Sequence, residues 1–191
     1  MAESSLNRPS KRKAGLDPKA AGLPDYIESD VQVLFVGINP GLRSAAVGHH
    51  FAGYSNRFWK VLYRSGLVPN PLTYSDDRRL PSWGLGLTNM VARPSSGIHE
   101  LTSKDYDAGR AILLSKIEQY RPRVVAILGL TLYSVLFPKG KRETVRPGLQ
   151  PERLAQTAVF LLPNPSGRNA HYSLEAMVRI YGALKPFLHR P

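Results

Sequence analysis

Three short apolar runs constrain the fold of this chain most: Val31-Gln32-Val33-Leu34-Phe35-Val36, Val124-Val125-Ala126-Ile127-Leu128 and Ala158-Val159-Phe160-Leu161-Leu162. They are rich in β-branched residues and stop at Gly37, Gly129 and Pro163, so they read as buried strands feeding loops. Leu85 to Val91, closed by Pro94, reads as a further short strand. Segments with helical spacing lie between them. Asn56 to Gly66 places Phe58, Val61, Leu62 and Ser65 near one face, with Ser55 as N-cap and Gly66 as stop. Ser103 to Tyr120 repeats Tyr106, Arg110, Leu113, Ile117 and Tyr120, with Ser103 as its N-cap. Thr131 to Phe137 reads as a short helix, and Ser173 to about Leu188 as the last one. Residues 68–82, rich in Pro, Asp and Ser, read as loop. Strands alternating with helices predict a three-layer α/β/α domain with a mostly parallel central sheet. Ligands of such sheets sit beyond the carboxyl ends of the strands, so the loops Gly37–Gly53, Leu87–Pro94 and Pro163–His171 are expected to meet on one edge.

A chain of 191 residues suits one such domain. Residues 1–22 offer no apolar face and carry Arg8, Lys11, Arg12, Lys13 and Lys19, so a disordered basic tail is expected there, with the folded domain over 23–191. The chain has 26 Lys+Arg against 14 Asp+Glu, a formal charge of +12, which attracts polyanions, nucleic acid first among them. There is no cysteine, which excludes disulfides, thiolate nucleophiles and Cys-based zinc sites. No apolar run approaches the ~18–20 residues of a membrane span, and the polar stretch Met1 to Pro24 contains no signal-peptide core.

Chemistry concentrates in five blocks: Gly37-Ile38-Asn39-Pro40-Gly41-Leu42, Gly48-His49-His50-Phe51, Asn56-Arg57-Phe58-Trp59-Lys60, Gly86-Leu87-Thr88-Asn89-Met90-Val91 and Pro163-Asn164-Pro165-Ser166-Gly167-Arg168. Asn-Pro-Gly alone is a common turn. In this order, on an α/β background, the blocks resemble the mismatch-specific uracil/thymine-DNA glycosylases of the uracil-DNA glycosylase superfamily, from about Leu23 to Leu188. The resemblance implies hydrolysis of the N-glycosidic bond of uracil, and of thymine or etheno-cytosine, in mismatched DNA. An abasic site would remain, and no metal or organic cofactor is expected.

Such hydrolysis needs a flipped base, a sugar that tolerates positive charge, and a water at C1′. By resemblance Asn39 is the catalytic residue. Its amide can orient water but cannot take a proton at neutral pH, so the reading is catalysis by positioning, with slow turnover and a preference for stabilised leaving bases. The residue alone also fits a cap on the Pro40 turn. Ser44 stands where the bacterial branch has a hydroxyl near the water and the vertebrate thymine-type branch has Ala; it also reads as an ordinary loop serine. Phe51 matches the aromatic on which the flipped base stacks, Tyr in the vertebrate branch, although most Phe residues are core. Asn89 matches the thymine-type branch, where the bacterial one has Lys; it is assigned to reading the base edge, with a turn role as alternative. The backbone amide of Ile38 is assigned to a base carbonyl.

Gly167-Arg168 falls in the loop that, in relatives, fills the gap left by the flipped nucleotide. Arg168 matches the thymine-type Arg, where the bacterial branch uses Leu, and a phosphate contact is its alternative. Ser166 and Gly167 suit close approach to phosphate, and Asn169 extends that contact. His49-His50 are poorly spaced for one metal ion, so no metal site is expected. Asp76-Asp77 reads as solvated surface, and Lys60 and Lys116 as helix residues rather than Schiff-base lysines. The partner expected is double-stranded DNA with a U:G or T:G mismatch, bound by a monomer away from membranes, in the cytoplasm of a bacterium at its nucleoid or in a eukaryotic nucleus. Two rivals remain at this level: a lesion-binding protein without turnover, and a nucleotide-binding α/β protein.

Overall fold

The computed structural model describes residues 22–138 and 145–188; the tail expected over residues 1–22 thus lies outside the described residues, Gly22 excepted. The elements run β1 (Val33–Gly37), α1 (Leu42–Val47), α2 (Phe58–Arg64), β2 (Leu85–Asn89), α3 (Ser103–Tyr120), β3 (Val124–Leu128), α4 (Leu130–Leu136), β4 (Gly148–Leu154), β5 (Thr157–Leu162) and α5 (Leu174–Gly182). Short 3-10 helices cover Tyr74–Trp83, Ile98–Glu100 and Lys185–Phe187.

The sheet order is β2-β1-β3-β5-β4, parallel throughout except for the β4–β5 pair. Side chains alternate across a strand, and here the alternation feeds two cores. Val33, Phe35, Val124, Ala126, Phe160 and Leu162 pack with Phe58, Val61 and Leu62 of α2 and Met177 and Tyr181 of α5. Leu34, Val36, Val125, Ile127, Val159 and Leu161 pack with Leu113 and Ile117 of α3 and Leu132 and Leu136 of α4. This is the three-layer domain with a mostly parallel sheet. The chain leaves β1 toward β2 on one side, whereas β3 continues to β5 on the other. Strand ends that diverge in this way open a crevice at the carboxyl edge, between β1 and β3.

The helix starts differ in detail from the expectation. The first N–H of α2 is capped by Asn56 Oδ1 (2.9 Å) rather than by Ser55. Helix α3 starts from Thr102, which forms a reciprocal capping box with Asp105. Besides the short 3-10 helix Ile98–Glu100, three elements went unread. β4 is an edge strand of mixed exposure, and Pro151 and Arg153 disguise it; proline is tolerated at such an edge, and the register shifts between Gln150 and Arg153. Helix α1 follows Pro40-Gly41 and closes at Gly48, whose φ of 75° suits glycine. The stretch read as loop over 68–82 is 3-10 helix from Tyr74.

Candidate active site

The crevice holds a cavity of about 430 Å³, lined by loops that follow β1, β2 and β5. Asn39, two residues past β1, lines it. Its Nδ2 donates to the carbonyls of Arg93 (3.1 Å) and Pro40 (3.2 Å) and to Ser95 Oγ (2.8 Å). Carbonyls only accept, so the amide orientation is fixed, and Oδ1 is what Asn39 presents to the cavity. The loop carrying these acceptors is itself braced. Arg93 Nη2 bonds Glu100 O (2.7 Å) and Asp105 Oδ2 (2.8 Å), and Ser95 Oγ donates to Gly97 O (2.8 Å). The Arg93 guanidinium and the Thr102 cap hold the Asp105 carboxyl well below the usual carboxylate range, so the pair stays charged.

Ser44 is buried in α1, and its Oγ accepts from the Ala52 amide (3.0 Å); the hydroxyl proton is left to donate toward the cavity that Ser44 also lines. Phe51 stacks on Phe58, rings 4.1 Å apart at 25°, and adopts φ of 52°, a costly value for an aromatic residue. Its neighbours fix that conformation. Asp77 accepts from the His50 amide (3.0 Å) and faces His49 Nδ1 (3.1 Å), while Trp59 Nε1 donates to His50 O (3.2 Å). Asp77 is fully buried, not solvated as expected, because this loop needs its carboxylate.

Asn89 ends β2 beside Phe51. A Cβ on Gly37 would come within 2.6 Å of Asn89 Oδ1, so only glycine leaves room for this amide. Its orientation follows from His50. His50 Nε2 lies 2.9 Å from the Pro24 carbonyl and must carry the proton, which leaves Nδ1 to accept from Asn89 Nδ2 at 3.5 Å. Asn89 then presents Oδ1 as an acceptor and its second N–H as a donor. Burial pushes the His50 pKa down; the Pro24 carbonyl and the charges of Asp77 and Asp25 partly offset this, and His49 adds to it. Behind Pro24, Asp25 bonds Lys116 and Thr88, which spends Lys116 on an ion pair.

The loop after β5 forms the opposite lip. Ser166 and Arg168 line the cavity, as does Ile38, while Asn169 lines the adjoining groove and Gly167 lines neither. Gly167 packs so tightly on Ser55 that a Cβ would meet the Ser55 carbonyl at 2.8 Å. Arg168 is exposed, its Nη1 reaching toward Ser96 O (3.4 Å) across the cleft. The loop hangs on Arg57, whose guanidinium donates to the carbonyls of Ser166 (3.0 Å), Asn169 (2.7 Å) and Tyr172 (2.9 Å). From the residues alone, no role at the site was assigned to Arg57, Ser95, His50 or Asp77. Their partners are mostly backbone groups or lie far along the chain, and only the Gly-His-His-Phe and Asn-Arg-Phe-Trp-Lys blocks carried a signal, for His50 and Arg57.

Among the described residues no carboxylate lines the cavity; its ionisable groups are Arg43, His50 and Arg168. Such a site cannot supply a strong base. It can position water on Asn39 and favour negative charge on a departing group.

A family model described as the uracil DNA glycosylase superfamily matches residues 24–185. The chain is 38% identical over 188 residues to a G/U mismatch-specific uracil DNA glycosylase of Schizosaccharomyces pombe, covering 94% of this chain and 58% of that relative. The chain therefore spans under two thirds of that protein's length. Among solved structures, the NMR structure of a candidate uracil DNA glycosylase from Methanosarcina acetivorans superposes with a TM-score of 0.56 at 19% identity, over 84% of this chain and 96% of that one. At that identity the likeness is one of fold.

Proposed function

The chain belongs to the uracil DNA glycosylase superfamily, and on that premise we propose that it hydrolyses the N-glycosidic bond of uracil in mismatched duplex DNA as a monofunctional base-excision repair enzyme. The observation that carries this reading is Asn39, with its amide NH2 tied on three sides and its oxygen free to hold a water, in a cavity that no described carboxylate lines. Water held by Asn39 adds through its oxygen to C1′, and the C1′–N1 bond breaks. The base leaves with the bonding pair, and the water proton passes to solvent. Phe51 supports the flipped base by stacking, worth ~1–3 kcal/mol per base. Asn89 Oδ1 accepts from the N3–H of uracil or thymine, which cytosine lacks, and Ile38 contributes a backbone amide. Ser44 helps hold the water. Ser166, Gly167 and Asn169 approach the phosphates, and Arg168 enters the stack. The enzyme acts as a monomer where the genome lies, at the nucleoid or in a nucleus.

The test is incubation with U:G, T:G, U:A and single-stranded uracil oligonucleotides, followed by alkali. Strand cleavage at uracil in U:G is expected; its absence would remove the glycosylase reading.

Arg168→Ala is expected to slow release in duplex several-fold more than in single strands, where no gap has to be filled. If single strands are not cleaved, the preference for guanine opposite uracil should fall instead. Equal slowing of both substrates, shrinking as salt rises, would make Arg168 a phosphate contact.

Acid should weaken base recognition through His50. Its folded pKa lies below its ordinary value of ~6.5, so the unfolded histidine protonates first. Stability from neutral burial is then present above that ordinary value and is lost as pH falls toward the lowered one. Below the lowered pKa, protonated Nδ1 can no longer accept from Asn89, and KM should rise. His50→Gln offers a donor and an acceptor without titrating. An acid limb that persists in His50→Gln would place the titration elsewhere.

A further inference from the structure

A second cavity of about 440 Å³ lies beside the excision cavity and shares with it Arg43, Phe51, Gly53 and Asn56. Its wall is aromatic and basic: Tyr54, Trp59, Tyr63 and Tyr74 with Arg43 and Lys60, and no described carboxylate lines it. We propose that this cavity is a second nucleotide subsite, which takes the nucleotide next to the excised one on the same strand, Arg43 binding its phosphate and Tyr54 stacking its base. The proposal rests on the glycosylase reading and goes beyond it.

Arg43 carries the argument. Its guanidinium carbon lies 3.8 Å over the ring of Tyr54 and 5.5 Å from that of Tyr74, so ring faces hold it rather than an acid. Its Nε is buried without a hydrogen-bond partner, and no ion pair to a described carboxylate neutralises it. Arginine offers five donors in a planar fork that matches phosphate oxygens. A charge held in place with its donors unspent is poised for an anion from outside the chain.

Tyr54 is the complementary half. It is 92% exposed, the most exposed of the described large hydrophobic side chains, and sits on the short loop between Phe51 and α2. With Arg43 on one face of its ring, the other is left to solvent, a platform that any base can use. The shared wall places this subsite directly beside the base pocket, so a neighbouring nucleotide of the same strand is within reach. Lys60, exposed on α2, adds a second cation to the far wall.

The test is a phosphate scan. Single methylphosphonates, which remove one charge each, are placed at successive positions around uracil in a U:G duplex. Binding is measured in an Asn39→Ala background to stop turnover. Release of uracil from the same duplexes by the chain with Asn39 intact reports the glycosylase reading separately. We expect Arg43→Ala to weaken binding of the fully charged duplex roughly tenfold. The loss should be within about twofold for the duplex neutralised at one phosphate next to uracil, a non-additive pair. Tyr54→Ala should weaken binding about fivefold, and Tyr54→Phe should keep it, since the ring face remains. Equal loss in Arg43→Ala at every methylphosphonate position, with uracil still released, would overturn the subsite and leave the glycosylase intact. Failure of the unaltered chain to bind or release uracil would remove both. Tyr54 is exposed, so its variants do not test folding; unchanged melting of Arg43→Ala reports that the loop is intact.

Discussion

Asn39→Ala is expected to slow uracil release roughly 10³-fold in single turnover while duplex binding stays within a few-fold. Loss of one preorganised polar group at a reacting centre costs about 10²–10³ in rate, and no described carboxylate lines this cavity to take over the water. On the proposed reading, ground-state affinity comes from phosphate contacts and base stacking, which is why kcat should fall without binding. Ser95→Ala separates positioning from chemistry. It removes the 2.8 Å acceptor of Asn39 Nδ2 but leaves the two carbonyls, so a loss of about tenfold is expected, confined to kcat. An Asn39→Ala enzyme with ordinary single-turnover rates would sink the assignment of water to this amide.

The second large effect is expected at Arg57, in both stability and activity. Its guanidinium ties together the carbonyls of Ser166, Asn169 and Tyr172, and its backbone N–H bonds Pro165 O at 2.9 Å. Hydrogen bonds to a charged group contribute ~1.5–3 kcal/mol each, but they share one side chain, so Arg57→Ala should cost about 3 kcal/mol in denaturant unfolding rather than their sum. Its greater consequence is local. Without that fork the Pro163–His171 loop loses its anchor, and release from duplex should fall together with duplex affinity. Arg57→Lys should recover little, because one ammonium cannot span three carbonyls. Duplex cleavage by Arg57→Ala at the rate of the unaltered chain would show that the loop holds its shape through Asn164, Asn169 and the backbone bond from residue 57 to Pro165 without the guanidinium.

The sheet was legible in sequence because its strands are buried on both faces, and such burial demands continuous apolar runs. β4 was not, since an edge strand mixes core and solvent residues and carries Pro151. Helix α1 hid for a related reason: it spans only Leu42–Val47 and buries only Ser44. The five blocks point to one cavity because their residues are read as chemical types: an amide expected at the glycosidic bond, an aromatic expected under the base, an arginine expected at the lip. The structure brings Asn39, Ser44, Phe51, Asn89 and Arg168 around one cavity.

The sequence by itself determined the layered fold, the family and which blocks of residues line one cavity, because these depend on apolar pattern and on motifs in order. Only the tertiary structure decided how those side chains are aimed. The turn of the Asn39 amide depends on Arg93 and Ser95 more than fifty residues away, and that of Asn89 on a histidine tautomer set by the Pro24 carbonyl. Burial of Asp77, unread in its polar surroundings, depends on two backbone segments meeting. A hydrogen bond has direction, and direction is fixed by partners that only folding brings within reach.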